Sequence, residues 1–282
     1  MTKYIPDPLF AGARRVYRAL GRPGRASRDT ILASVERAAA KAEREAARAA
    51  QAAARAEAAA ARAEKVAAKA TPPLSASATP RSRDDLHAYW REPDPPNRAE
   101  GYVNPIERSQ FLLDLLEPFV SRDDPILEIG SNVGRNLEHL RLAGFQHLAG
   151  IEISSKALEA MNAAYPDLVP TVTIYNAPVE DVIRGLPDGS YGAVFTMAVL
   201  EHIHPDSDWI FEEMVRICRG VIVTIEDEES QTWRHIPRDY RSIFESLGML
   251  QVREGDPSAI GGFGSKFRAR VLERAERRDR GA

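Results

Sequence analysis

The sequence predicts an α/β domain, built on a doubly wound and mostly parallel seven-stranded sheet and preceded by a long N-terminal helix or coiled coil. Three observations support this fold class. From about residue 125 onward short apolar runs alternate with helix-like segments, a turn with two glycines follows the first run, and alanine dominates residues 29–69. Alternating strands and helices require a mostly parallel sheet with helices on both faces.

The N-terminal part is predicted from charge and from the spacing of alanine. Residues 1–26 contain a short basic amphipathic helix, which can lie on an anionic membrane or dock on a protein surface. Residues 27–70 place alanine at the a and d positions of about five heptads, which favours a coiled coil and a homo-oligomer. A lone helix that acts as a semi-rigid spacer is the alternative. Residues 71–83 form a flexible linker, and the main domain occupies residues 84–282.

Charge and cysteine content restrict the partners and the compartment. The formal net charge is −3, but residues 1–83 carry +10 and residues 84–282 carry −13. An acidic main domain disfavours a nucleic-acid partner, which requires a positive field. The single cysteine, Cys218, cannot form an intrachain disulfide, which indicates a reducing compartment. Since no apolar run reaches the ~18 residues of a membrane span, we expect a cytoplasmic protein, which the basic arm can bring to the inner face of the membrane.

The segment from Pro125 to Glu152 has the pattern of a nucleotide-binding βαβ unit. An apolar run ends in Glu128, and Gly130 and Gly134 follow it in a turn. Apolar residues at helical spacing come next, then a glycine, and then a second apolar run that leads to Glu152. Strand, glycine turn, helix, strand and acid in this order form half of a nucleotide-binding unit.

The two acids indicate which nucleotide the unit binds. A pyrophosphate lies against a G-x-G-x-x-G turn, whereas this chain has G-x-x-x-G with a carboxylate, Glu128, two residues before it. A carboxylate at that place repels a phosphate and attracts a cation in a low-dielectric crevice. Glu152 lies where an acid accepts the ribose hydroxyls in dinucleotide folds. These charges favour a positively charged, phosphate-free nucleoside, a description that S-adenosylmethionine fits.

Three stretches, ILEIGSNVGRNL, GIEIS and AVFTMAVLEHIHP, resemble the class I S-adenosylmethionine-dependent methyltransferases over about residues 84–270. The resemblance is greatest to the bacterial type that modifies small molecules and surface glycans. It implies a Rossmann-like fold, S-adenosylmethionine as the cofactor and methyl transfer as the activity. The family motif is acid-x-Gly-x-Gly-x-Gly, and Asn132 replaces its middle glycine here. Asn tolerates a positive φ better than most residues, so we expect the turn to be kept.

The cofactor site is predicted at the carboxyl ends of the first four strands, where open α/β sheets bind ligands. The predicted cofactor-binding residues are Glu128, Gly130, Ser131, Asn132, Gly134, Glu152, Ile153, Asn176, Ala177, Pro178 and Met197. The family commonly has an acid after the third strand for the adenine amine; none occupies that place here, so Asn176 or a backbone group takes the role. Residues 84–102, rich in proline, are predicted to form an irregular lid over this site.

The acceptor site is predicted beyond the fourth and fifth strands. The candidate catalytic residues are His202, His204, Glu226 and His235. His202 is the candidate base, because an imidazole titrates near neutrality, although the resemblance also allows a structural role for the Glu201-His202 pair. Glu226 begins a run of four acids, which either binds acceptor hydroxyls or forms a solvated loop. The spacing of these acids does not suit a metal ion, so no metal is predicted.

The predicted function is methyl transfer to a hydroxyl of a glycan or another small molecule, in cell-surface polysaccharide or secondary metabolism. One alternative is N- or carboxyl-methylation of a small molecule. The other is a non-catalytic coiled-coil scaffold with a nucleotide-binding domain.

Overall fold

The structure, a computed structural model, describes residues 81–103 and 106–274. The strands in these ranges are β1 (Ile126–Ile129), β2 (Leu148–Ile151), β3 (Val172–Tyr175), β4 (Tyr191–Met197), β5 (Cys218–Asp227), β6 (Met249–Gly255) and β7 (Phe267–Arg274). The α-helices are α1 (Arg83–Arg91), α2 (Ile106–Leu116), α3 (Arg135–Leu142), α4 (Ser155–Ala164), α5 (Val179–Val182), α6 (Ile210–Ile217) and α7 (Tyr240–Ser246). Within the described ranges, no helix has the length and apolar character needed to cross a bilayer. The predicted basic helix (1–26), the coiled coil (27–70) and residues 71–80 of the linker lie outside the described residues.

The strands form one sheet in the order β3-β2-β1-β4-β5-β7-β6. Neighbouring strands are parallel except at β7, which runs antiparallel to both β5 and β6. The strand order reverses at β1, and ligands bind beyond the carboxyl ends of the strands at such a switch point. The predicted doubly wound, mostly parallel, Rossmann-like sheet is confirmed.

Helices cover both faces of the sheet, because successive strand residues point to opposite faces. Leu127 and Ile129 of β1 pack in the cluster that contains Phe211 of α6 and Phe244 of α7. Ile126 belongs to the cluster on the other face, which α2, α3 and α4 cover. With apolar packing on both sides, the ends of the central strands are held in fixed positions.

The segment predicted as an irregular lid begins with a helix instead. α1 starts at Arg83, and Ser82 caps it by accepting a hydrogen bond on Oγ from the backbone N–H of Asp85 at 3.2 Å. The backbone N–H of Arg81 donates to the carbonyl of Trp233 at 3.3 Å. Residues 81–83, which the sequence assigns to the linker, therefore belong to the folded body. Two short 3-10 turns follow α1, so the second half of the segment has the irregular structure that the sequence predicts for all of it.

Candidate active site

The turn between β1 and α3 has a shape that few side chains permit. Gly130, Asn132 and Gly134 have φ angles of 76°, 47° and 72°. A Cβ atom on Gly130 would lie 2.3 Å from Cγ2 of Val199. The backbone N–H of Gly130 donates to the carbonyl of Ile151 at 2.8 Å, which attaches the turn to β2. The positive φ expected of Asn132 is confirmed.

Both predicted acids are buried at the ends of adjacent strands, but their surroundings differ. Glu128 accepts a hydrogen bond on Oε1 from Nδ2 of Asn136 at 2.7 Å, while its Oε2 is buried without a partner among the described residues. Glu152 accepts the backbone N–H groups of Asn132 and Ser154, one on each oxygen and both at 2.7 Å. Burial raises the pKa of both carboxyls, that of Glu128 to about 8. Glu128 is thus an acceptor that a cationic ligand would satisfy.

Sequence reasoning missed Arg135, the first residue of α3. Its side chain is buried and donates to the carbonyl of Tyr102 at 3.2 Å and to Oγ of Ser109 at 3.0 Å. Burial lowers the pKa of the guanidinium, and the nearby carboxyl of Glu128 opposes that shift. A cation in the first turn of a helix is unfavourable to the helix dipole, and this mismatch is the signal that could have identified it.

A cavity of about 710 Å³ lies at the carboxyl ends of β1, β2 and β4. The predicted site residues on its wall are Glu128, Gly130, Asn132, Glu152, Ile153, Ala177, Pro178, Met197, His202, His204 and His235. We call the part lined by residues 128–130, 132–133, 135–136, 151–154 and 177–178 the cofactor wall, after the predicted cofactor site. The acceptor wall is the part formed by Trp90, residues 199–204 and residues 234–235.

Four predicted site residues do not lie on the wall of this cavity: Ser131, Gly134, Asn176 and Glu226. Ser131 packs beside Gly150 of β2, and Gly134 supplies a positive φ to the turn. Asn176 donates its side-chain amide to the carbonyl of Glu152 at 2.8 Å. These residues shape the cavity without lining it.

Glu226 and Asp227, the first two of the four acids, are buried at the end of β5, whereas Glu229 is exposed. β5 continues to Asp227, and Glu226 accepts the backbone N–H groups of Val199 and Leu200 at 2.8 and 3.0 Å. Glu201 accepts the backbone N–H of Asp227. Burial raises the pKa of the carboxyls of Glu226 and Glu201, and repulsion from Glu226 raises that of Glu201 further. The pair ties the loop after β4 to the end of β5.

Further hydrogen bonds join the loop after β4 to the loop before α7. The backbone N–H of Ile236 donates to the carbonyl of Glu201 at 2.8 Å. Nδ1 of His202 lies 2.7 Å from the carbonyl oxygen of Arg234. Since a carbonyl can only accept, Nδ1 carries the proton, and Nε2 of the neutral ring is an acceptor. The acceptor wall is therefore a connected pair of loops.

The three candidate histidines have different surroundings. His202 packs against Trp90, with ring centroids 4.4 Å apart, and burial lowers its pKa well below the ordinary value, so it is neutral at pH 7. The ring centroids of His235 and His202 are 4.7 Å apart. Burial and the charge of Arg234 lower the pKa of His235 to about 4. His204 caps the next 3-10 turn through its side chain. His202 and His235 converge on the acceptor wall.

Comparisons with known proteins agree with this architecture. Residues 127–221 match the model of a family described as a methyltransferase domain. No curated protein matches the chain.

Solved structures share the fold at low sequence identity. The structure of magnesium protoporphyrin IX methyltransferase (ChlM) from Synechocystis PCC 6803 with bound SAM is 15% identical, with a TM-score of 0.54 over 73% of this chain and 100% of that chain. Geranyl diphosphate C-methyltransferase from Streptomyces coelicolor A3(2) is 13% identical, with a TM-score of 0.53 over 71% and 100%. The 4+2 cyclase SpnF is 13% identical, with a TM-score of 0.55 over 71% and 99%. The domain has a Rossmann-like methyltransferase fold, and since a cyclase shares it, the fold alone does not fix the reaction.

Proposed function

We propose that the protein is an S-adenosylmethionine-dependent methyltransferase whose acceptor is a hydroxyl of a glycan or another small molecule. The match of residues 127–221 to a methyltransferase domain supports the activity class. The assignment of the cofactor rests on one observation. Oε2 of Glu128, a buried carboxylate oxygen on the cofactor wall, has no hydrogen-bond partner among the described residues. Such an oxygen suits an ammonium group and disfavours a phosphate.

The cofactor wall fits the parts of S-adenosylmethionine. Glu128 binds the ammonium, and Arg135, also on the wall, binds the carboxylate of the methionine part. Glu152 binds the ribose hydroxyls, because each carboxylate oxygen accepts more than one hydrogen bond. Ala177 and Pro178 contact the adenine at the end of β3. When bound, the cofactor supplies an electrophilic methyl group on a sulfonium.

The acceptor wall offers contacts that suit a hydroxyl compound. Nε2 of the neutral His202 accepts a hydrogen bond, or a proton, from the acceptor hydroxyl. Nε1 of Trp90 is a buried donor without a partner among the described residues, and its indole lines the cavity beside His202, where it suits a sugar or a planar ring. Alignment of the reacting groups supplies most of the acceleration in a displacement of this kind, so the joined loops of this wall matter more than a strong base.

Calorimetry of the full-length protein with S-adenosylmethionine tests the cofactor. We expect one molecule to bind per chain, and Glu152→Ala to weaken binding by roughly 10- to 100-fold, because hydrogen bonds to a charged group contribute about 1.5–3 kcal/mol. Glu159→Ala removes an exposed carboxylate on α4 and serves as the control. Absence of binding, or equal losses in the two variants, contradicts the proposal.

Transfer of a labelled methyl group to a panel of acceptors tests the reaction. The panel contains glycans, alcohols, phenols, amines and carboxylates, and we expect the label in a hydroxyl compound. Label confined to amines or carboxylates would support N- or carboxyl-methylation instead. Cofactor binding without transfer to any class would support the scaffold.

We further propose that the arm of residues 1–83 assembles a homo-oligomer through its coiled coil and brings the enzyme to the inner face of the membrane from the cytoplasm. Alanine heptads and a charge of +10 support this role. A chain that lacks residues 1–79 is expected to have a smaller mass per particle in light scattering and an unchanged affinity for the cofactor. Flotation with anionic vesicles tests the membrane contact separately.

A further inference from the structure

Glu201, His202 and His235 form a cluster on the acceptor wall that methyl transfer by itself does not require. One possible ligand atom from each residue lies within 4.8 Å of the other two. The side chains of Glu201 and His202 are 4% and 9% exposed, and His235 is half-buried. A carboxylate and two imidazoles that converge away from solvent are costly unless they have partners.

Each histidine of the cluster is oriented by a hydrogen bond on its far nitrogen. Nδ1 of His202 donates to the carbonyl oxygen of Arg234 at 2.7 Å, and Nδ1 of His235 lies 2.8 Å from Oγ1 of Thr232. In both rings this leaves Nε2 as the possible ligand atom. Histidines that bind metal ions almost always have such a partner on the second nitrogen.

The carboxylate is oriented in the same way. Oε2 of Glu201 accepts the backbone N–H of Asp227, and its Oε1 lies 3.5 Å from Nε2 of His202. Two ligand atoms at ~2.1 Å from one ion lie roughly 3–3.5 Å apart at octahedral or tetrahedral angles. The separation of these two atoms therefore already matches that of two ligands of one ion.

We propose that Glu201, His202 and His235 bind one divalent transition-metal ion, and that the open positions of this ion hold an oxygen of the acceptor. Two imidazoles and one carboxylate suit ions such as Zn²⁺, Mn²⁺, Fe²⁺ and Co²⁺ and leave coordination positions open. The role of the acceptor oxygen rests on the proposed function, whereas the ion site does not.

An ion at this place narrows the substrate class. It binds oxygen ligands and promotes the loss of a hydroxyl proton, which passes to water. The favoured acceptor is therefore a compound with a hydroxyl group, or with adjacent hydroxyl groups, rather than an amine. His202 is then a ligand of the ion instead of an unassisted base. If His202 acts as an unassisted base, a chelator should leave the rate of methyl transfer unchanged. If the ion is required, a chelator should abolish methyl transfer.

Arg234 competes with the ion. Its Nη1 lies 3.4 Å from Nε2 of His235, and its guanidinium lies 5.7 Å from the ring centre of Trp90. A guanidinium this close repels a metal ion, so the side chain must leave His235 when the ion binds. Arg234→Met keeps the carbonyl that orients His202 and removes the charge. We expect this variant to bind the ion more tightly than the wild type.

Calorimetry and visible absorption with Co²⁺ and Zn²⁺ test the site in the full chain after treatment with a chelator. We expect one ion per chain. His235→Ala and Glu201→Gln should each weaken binding by at least about tenfold, because even the loss of an outer partner costs roughly 10- to 100-fold. His204→Ala removes an imidazole of the same wall that lies outside the cluster and should bind the ion as the wild type does. Circular dichroism checks that each variant is folded.

The outcomes separate this inference from the proposed function. Cofactor binding in the presence of chelator, with no binding of Co²⁺ or Zn²⁺ by the wild type, refutes the ion site and leaves the methyltransferase in place. Ion binding without cofactor binding refutes the methyltransferase and supports the ion site. If His204→Ala and His235→Ala weaken ion binding equally, or if neither variant changes it, the assignment of the ion to this cluster is refuted.

Discussion

The two walls of the cavity are built in different ways. The cofactor wall is mostly one stretch of chain, residues 128–154, in which a strand end, a glycine turn and a second strand end follow one another. The acceptor wall joins Trp90 of α1 to two loops, residues 199–204 and residues 234–235, that are far apart in the sequence. The first wall follows from local geometry, whereas the second depends on the completed fold. A protein built this way can keep one cofactor while its acceptor changes.

The largest effect is expected where the two walls touch. Gly130→Val places a branched side chain at a φ of 76°, with a Cβ 2.3 Å from Cγ2 of Val199. We expect the free energy of unfolding to fall by about 2–5 kcal/mol, from overpacking and left-handed strain together, and cofactor binding to be lost. Chemical denaturation and calorimetry measure the two effects. Gly185→Ala, where a Cβ meets open space, is the control, and an equal loss there would contradict the argument.

A variant at a residue that supports the acceptor wall from beneath should disturb that wall alone. The buried side chain of Arg238 donates to the carbonyls of Leu200 and Ile203 at 2.9 and 2.8 Å and to Oδ1 of Asp208 at 2.6 Å. Arg238→Met should lower the free energy of unfolding by about 2–4 kcal/mol, because hydrogen bonds to charged groups contribute roughly 1.5–3 kcal/mol each. We expect slower methyl transfer with unchanged cofactor affinity. A parallel loss of affinity in calorimetry would show that the walls are not separate.

Glu128→Gln separates binding from stability on the cofactor wall. The pKa of this carboxyl is about 8 in the folded protein and near 4.5 in a solvated chain. Between these values the folded state binds more protons than the unfolded state, so this group makes the protein less stable as pH rises from about 5 to 8. We expect the difference in Tm between the variant and the wild type to shift in favour of the variant as pH rises. At pH 8 the variant should bind the cofactor roughly tenfold more weakly. A Tm difference that stays constant across this pH range would contradict the assignment.

The smallest effect is expected at the helix that carries Trp90. Ser82→Ala removes the cap of α1 and should lower the free energy of unfolding by about 1 kcal/mol. Ser82→Asp should restore it, because Asp caps a helix as well as Ser does. Denaturation curves of the three proteins make the comparison. No change in either variant would favour the irregular segment that the proline content predicts.

The cofactor wall could be predicted from the sequence because its residues are neighbours in the chain. Glu128, Gly130 and Glu152 lie on it as their spacing indicates, and the φ of Asn132 is positive. The sequence pattern does not identify Arg135, because its partners Tyr102 and Ser109 lie 33 and 26 residues away. Periodicity identifies the strands and helices, but it does not identify long-range hydrogen bonds.

The acceptor wall could be predicted in part. The order of the strands predicts His202 and His235 near the acceptor, yet the contact between the two rings depends on how two loops fold against each other. The sequence also predicts Glu226 beside them, but β5 includes this residue and its carboxylate accepts the backbone N–H of Val199. Ser82 is a sequence signal for the start of α1, but the prolines that follow the helix favour an irregular segment instead.

The loop between β5 and α7 has a consequence for anyone who wishes to retarget the protein. The loop includes Trp233, Arg234 and His235. Even so, none of its residues 228–235 contributes a side chain to either buried apolar cluster of the sheet. A grafted loop that keeps the ion pair between Glu228 and Arg270 would therefore alter which compounds the site accepts while leaving both apolar clusters intact. Libraries confined to this loop should yield folded proteins at high frequency, which makes it the place to begin directed evolution.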